Sequence, residues 1–197
     1  MPLMNRVTPA GEIIADPARG TLMGNRGGRL HDPLAKRLLR PWASPRWIAC
    51  ELHFRGRHHE PMGSGYTSLF FLDEVTALAA GHRPCFECRR AEARHFLGLS
   101  GLDGADALDR AAHASRLDGR VKRTFRASPT ELPDGAVVRR EGTILALHRG
   151  RLVRWSPSGY DADAATGTDA VEVLTPMLFI GILRRGYRPR WHPTAGS

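Results

Sequence analysis

The pattern of apolar and polar positions predicts short strands and short helices in alternation. Residues 6–14 read as a strand broken by a Pro9-Ala10-Gly11 turn, and residues 47–54 alternate as a strand. Asp32-Pro33 has the form of an N-cap with proline at the first helical position, which predicts a helix to Arg40 stopped by Pro41. A strand at residues 66–72 runs into Asp73, an N-cap for an alanine-rich helix over residues 74–80, with Gly81 just past its end and Pro84 beyond. Helices are expected at residues 89–97 and 105–117, the second capped by Asp103, with Asp106 four residues before Arg110. After Val121 the pattern turns to strands at residues 136–140, 143–148, 152–155 and 171–174. Leu132-Pro133-Asp134-Gly135 is a turn, residues 161–169 a polar loop, and Thr175-Pro176 the start of a helix ending near Arg185.

Two stretches share a pattern. Leu52-His53-Phe54-Arg55-Gly56-Arg57 is similar to Leu147-His148-Arg149-Gly150-Arg151, and each is followed by Ser-Gly-Tyr, at residues 64–66 and 158–160. A strand, a short helix and a Gly-x-Arg-Pro stop then close both stretches, at Gly81-His82-Arg83-Pro84 and Gly186-Tyr187-Arg188-Pro189. This predicts an internal duplication.

Composition narrows the classes. At 197 residues and 42% hydrophobic content the chain can bury a core and is not a disordered segment. No apolar run reaches membrane-spanning length, and residues 1–15 lack a secretory signal core, so no membrane partner and a cytoplasmic location are expected. The net charge of +9 comes from 29 Lys and Arg against 20 Asp and Glu, and only Lys36 and Lys122 are lysines. Such a balance suits a polyanionic partner, nucleic acid above all, because the arginine fork donates two hydrogen bonds to phosphate. It also suits plain arginine-rich coding bias. The glycine-rich stretch at residues 19–29 could cradle a phosphate, but it lacks a Gly-Lys-Ser/Thr ending and reads equally as a surface turn.

The three cysteines change the picture most. Cys85 and Cys88 form a C-x-x-C and Cys50 stands upstream. An odd number without a secretory signal disfavours disulfides, and the helix and turn before Cys85 disfavour a redox motif. Thiolates two residues apart can reach one tetrahedral ion, which predicts one Zn2+ per chain held by Cys50, Cys85 and Cys88. The fourth ligand would be His53 or His31, which spacing does not separate.

The run from Phe71 through Ala77-Leu78-Ala79-Ala80-Gly81-His82-Arg83-Pro84-Cys85-Phe86-Glu87-Cys88-Arg89 resembles the second half of the Ada-type zinc domain. Members of that family are bacterial repair and sensor proteins for DNA methyl phosphotriesters. The resemblance covers about residues 66–90 plus Cys50. It implies a zinc site, a DNA partner favoured over RNA, and a role for Cys50 as a methyl-accepting thiolate. The family's upstream Cys-x-x-x-Cys is missing, and no helix-turn-helix or alkyltransferase motif follows.

The expected fold class is therefore α+β: a small zinc-knuckle unit of hairpin plus short helices, then a degenerate second copy without metal. The expected organisation is an N-terminal segment (1–45) packing on the core, an Ada-like zinc unit (46–100), a helical linker (101–120) and a strand-rich second unit (121–197). Arg55, Arg57, Arg83, Arg89 and Arg90 would form a phosphate-binding rim, matched by Arg149, Arg151 and Arg188 in the second unit. Two rival functions stand beside nucleic-acid binding. One is a metal-dependent phosphodiesterase or nuclease using His58, His59 and Glu60 as metal ligands or acid and base. The other is a protein-interaction module that uses zinc only to fold.

Overall fold

The computed structural model describes residues 1–56, 60–162 and 167–196. Along the first half run β1 (Met4–Val7), β2 (Ile13–Ala15), β3 (Leu22–Arg26), β4 (His31–Asp32), β5 (Arg37–Leu38), β6 (Trp47–Glu51), β7 (Leu69–Phe71), α1 (Glu74–Ala79), β8 (Arg83–Pro84) and α2 (Arg90–Ser100). The second half holds α3 (Ala105–Arg116), β9 (Leu117–Asp118), β10 (Val121–Lys122), β11 (Phe125–Ala127), β12 (Val137–Arg140), β13 (Thr143–His148), β14 (Arg151–Ser156), β15 (Gly159–Ala162), β16 (Val171–Val173) and α4 (Met177–Arg184). The fold class is α+β.

Two six-stranded sheets organise the chain. The first has the order β2-β1-β7-β3-β6-β8 and is mixed, with β1 parallel to β7 and β6 parallel to β8. The second, β11-β16-β12-β13-β14-β15, is antiparallel throughout.

Helix α1 lies at the centre, and all six of its residues are buried. Its alanines explain how: small side chains let neighbours approach from both sides. Ala77 and Ala80 face Leu22, Leu69 and Phe71 of the first sheet, while Val75 and Ala79 meet Val137, Ala146 and Tyr160 of the second. The other face of the second sheet carries Val138, Leu145 and Leu147 onto Phe96 of α2, Leu108 of α3 and Phe179, Ile180 and Leu183 of α4. Successive residues of β12 and β13 thus serve opposite cores, as the two-residue period of a strand requires. Each large apolar side chain fully buried in this way contributes roughly 1.5–3 kcal/mol.

The expected cap and stop of α1 are present. The Asp73 carboxylate accepts from Thr76 N–H at 2.9 Å, and Gly81 takes φ +92°. Asp73 also accepts from the Tyr160 hydroxyl at 3.2 Å and from His192 N–H at 3.0 Å, tying the C-terminal segment to the helix. The neighbouring Glu74 accepts from the Tyr187 hydroxyl at 2.6 Å and from Arg190 N–H at 2.9 Å.

Several expectations are corrected. Residues 33–40 form no helix. The Asp32 carboxylate caps a turn instead, accepting from Leu34 and Ala35 N–H at 2.8 and 3.0 Å, and Lys36 at φ +52° returns the chain as the β4–β5 hairpin. Leu34 is 93% exposed, so the segment has no apolar stripe to hold a helix against the core. Asp103 does not cap α3, whose N-cap is Gly104. Strand β15 begins at the second Ser-Gly-Tyr and reaches into the expected polar loop. The first unit is larger than a hairpin with short helices, because β1, β2 and β3 of the first 45 residues share one sheet with β6, β7 and β8.

The repeated motifs are alike locally. Arg55-Gly56 and Arg149-Gly150 both have left-handed backbones, and Gly81 and Gly186 both have positive φ. The sheets around them differ in strand order and in the presence of parallel pairs.

Candidate metal centre and groove

Sheet register brings the cysteines together. Ile48 and Ala49 of β6 pair with Arg83 and Pro84 of β8 in parallel, and Cys85 N–H then donates to Ala49 carbonyl at 2.9 Å. This sets Cys85 beside Cys50 near the end of β6. A turn closed by Arg89 N–H on the Cys85 carbonyl at 3.0 Å returns Cys88 to the same point. The three sulfurs lie within 4.8 Å of one another.

The backbone supports charge on these sulfurs. Glu87 N–H donates to Cys85 Sγ and Glu51 N–H to Cys88 Sγ, each at 3.4 Å. Hydrogen bonds from the Cys50 and Cys88 thiols hold Cys85 down to about 2, while the same contact with Cys85, and then with Cys88, pushes Cys50 far up. Cys88 is pulled down by Cys50 but ends raised, because Cys85 and burial outweigh that bond. One negative charge is thus shared over three sulfurs, and a divalent ion would take all three as thiolates. The cluster could hold a metal ion, and its sulfur donors fit zinc or another thiophilic metal.

Neither histidine expected as a fourth ligand joins the cluster. His31 is buried elsewhere, with Nδ1 bonded to Thr67 Oγ1 at 2.6 Å and Nε2 to the Gly63 carbonyl at 2.9 Å. Both ring nitrogens are engaged, which removes it from the ligand set. His53 is exposed and lies outside the group of converging ligand atoms. The described residues therefore supply three ligands.

Beside the three sulfurs lies a space of about 390 Å³, bordered by Met23, Asn25, Phe54, Tyr66, Glu51 and Glu87. A second space of about 440 Å³ shares Asn25, Ile48, Tyr66, Cys85 and Glu87 with it. The second adds Gly27, Gly28, Arg46 and Phe86, so the two form one groove past the cysteines. Tyr66, which the sequence offers as a base-stacking aromatic, lines both spaces, whereas sequence reasoning missed Asn25, Phe54 and Phe86 as groove walls; the period-two alternation of β3 and β6 is the signal that places Asn25 and Ile48 on the cysteine face.

The arginines expected as a rim divide. Arg55 and Arg90 are exposed, and so is Arg188. Arg149 and Arg151 border a separate space beside His148 and Tyr160. Arg83 and Arg89 are corrections: both are internal. Arg83 makes a two-pronged contact with Asp109, Nε to Oδ1 at 2.9 Å and an amino nitrogen to Oδ2 at 2.8 Å, with its guanidinium over the Phe86 ring at 4.7 Å. Arg89 lies 2.8 Å from the buried Glu74 and 3.4 Å from Glu51. Buried carboxylates claim both side chains, leaving no fork for phosphate. Arg57, His58 and His59 lie outside the described residues. Glu60 is exposed and pairs with Lys36 at 3.1 Å.

No protein-family model, no curated protein and no solved structure matches the chain. Among the described residues no helix is long and apolar enough to cross a membrane.

Proposed function

We propose that this chain is a zinc protein that binds nucleic acid along the groove beside Cys50, Cys85 and Cys88. The observation that carries the reading is the convergence of three sulfurs at the wall of a groove whose other walls are aromatic, with Arg46 at one end and Glu51 and Glu87 beside the sulfurs. Tyr66, Phe54 and Phe86 offer faces on which bases stack, and Arg46, exposed and among the described residues paired only with the exposed Asp106 at 3.1 Å, offers charge to the backbone. The overall charge of +9 favours the encounter. A bound zinc would fix the positions of the three thiolates at the groove wall. The Ada-type resemblance at residues 66–90 points to DNA as the partner, with Cys50 as the candidate methyl-accepting thiolate.

Two measurements test this. Elemental analysis of the purified chain should find one zinc, lost in Cys88→Ser. Fluorescence anisotropy with single- and double-stranded oligonucleotides should show log affinity falling linearly with log salt, and weakening in Tyr66→Ala and Arg46→Ala. Absence of binding at low salt, or a flat salt response, overturns the nucleic-acid reading. A second reading, metal-assisted hydrolysis, draws on the count of three ligands rather than four and on the two carboxylates, Glu51 and Glu87, that border the same space. Zinc-dependent cleavage of the bound oligonucleotide that disappears in Glu87→Gln would decide for it.

A further inference from the structure

The opposite face of the first sheet carries a different chemistry. Along β6, Ile48 and Cys50 point to the cysteine side, so Trp47 points away from it. Arg26 of β3 is the cross-strand partner of Trp47. Below them opens a cavity of about 400 Å³, closed by the end of α3, by β9–β10, and by Arg139 and Glu172 of the second sheet. Five cationic side chains border it, Arg26, Arg116, Arg120, Lys122 and Arg139, against the two carboxylates Glu12 and Glu172.

The innermost cations have no carboxylate in direct contact among the described residues. The Trp47 ring is held between the Arg26 and Arg116 guanidinium groups, at 4.1 and 4.0 Å. Arg26 is 2% exposed and donates to His82 Nε2, to the Gly11 carbonyl and to the Pro41 carbonyl. Arg116 is 1% exposed and donates to the carbonyls of Gly81 and Pro45, an amino nitrogen also lies 2.9 Å from His113 Nδ1, and its Nε is buried with no hydrogen-bond partner. Lys122 Nζ donates to the Ala79 carbonyl at 2.7 Å. Every one of these acceptors is neutral. Among the described residues no carboxylate lies within ion-pair distance of Arg26, Arg116 or Lys122, and Glu172 is engaged by Arg139 at 3.2 Å.

Withdrawing a charge from water costs several kcal/mol unless an opposite charge compensates it. Here burial lowers Arg26 to about 9, burial and Arg26 lower Arg116 to about 9 against the more distant Asp109, and burial plus repulsion by both arginines lowers Lys122 to about 7 against Glu172. His82 beside them is held neutral, first by burial and then by the same arginines, so it adds no charge. A folded core that keeps three such groups around an open space is organised for a ligand that carries the missing negative charge.

We propose that this cavity binds the phosphate or diphosphate group of a small molecule, with Arg26, Arg116 and Lys122 lining its inner wall and Arg120 and Arg139 at its mouth. Forked guanidinium donors around an ammonium match a tetrahedral anion with several acceptor oxygens. The space exceeds a phosphate alone and leaves room, beside Trp42 and Trp47, for the group that the phosphate is attached to. The site lies across the sheet from the cysteines, so it stands or falls independently of the metal reading.

The test is calorimetry and thermal denaturation of the full chain with inorganic pyrophosphate, against sodium chloride at equal ionic strength. Pyrophosphate should bind and raise Tm where chloride does not. Its affinity should fall at least tenfold in Lys122→Met and in Arg120→Glu. The exposed Arg120 guards the test against a variant that fails to fold. No binding to the folded wild-type chain, or equal affinity in wild type and both variants, overturns the site. Duplex DNA is the control for the source of the phosphate: displacement of pyrophosphate by a duplex overturns the small-molecule assignment and gives the site to a nucleic-acid backbone, while failure to displace it supports the assignment.

Discussion

Removal of one partner from the Arg83–Asp109 pair should be among the most damaging substitutions in the chain. The two side chains are 6% and 4% exposed and meet through two hydrogen bonds of 2.9 and 2.8 Å. Asp109→Ala leaves a guanidinium buried with only the Pro84 carbonyl, at 3.0 Å, as a remaining acceptor. Stranding a buried charge in this way costs about 3–5 kcal/mol. With an m-value of about 2 kcal/mol/M, the urea midpoint should fall by about 1.5–2.5 M. The damage should also reach the three converging cysteines, because Arg83 lies two residues before Cys85 and its guanidinium packs on Phe86 inside the C-x-x-C. Release of the proposed zinc to a competing chelator should therefore be faster in Asp109→Ala. Replacing both partners with apolar groups, Arg83→Met with Asp109→Leu, removes the stranded charge and should recover much of the loss. A single-variant loss below about 1 kcal/mol, or a double variant no better than the single, would refute the reasoning.

Two further outcomes are expected. Gly81→Ala should cost about 2 kcal/mol, since the residue sits at φ +92° and an added Cβ would meet Arg116 Cδ at 2.5 Å; an unchanged urea midpoint would exclude the strain. For Lys122, burial first, then Arg26 and Arg116, then Arg139 against the opposing Glu172, lower the amine from 10.5 to about 7. Between those values the unfolded chain binds the proton that the folded chain has released, so stability should rise with pH from about 7 towards 10.5. Urea midpoints at the two ends of that range, in buffer free of phosphate, should show a rise that Lys122→Met reduces; the same rise in both proteins would refute the assignment.

Much of the local structure was legible in the chain. Asp73 and Gly81 delimit α1 because a cap and a left-handed stop act on their own neighbours, and the strands of the second sheet follow from alternation over a few residues. The C-x-x-C placed two sulfurs, and Cys50 as the third followed from the scarcity of cysteine. The same local logic failed at Asp32-Pro33, where a helix start and a turn use the same residues and the absence of a buried partner chose the turn. It also failed for Arg83 and Arg89, which looked like exposed phosphate ligands because their carboxylates, Asp109 and Glu74, lie far away along the chain.

The sequence by itself determined the α+β class, most element positions and the identity of the three converging thiols, because these depend on residues near one another or on a rare residue type. Only the tertiary structure decided which arginines are internal, that both nitrogens of His31 are engaged, and that Arg26, Arg116 and Lys122 gather around one cavity. Those outcomes depend on which strands pair and which faces close, and charge burial is a property of what surrounds a side chain in space rather than of what precedes it in the chain.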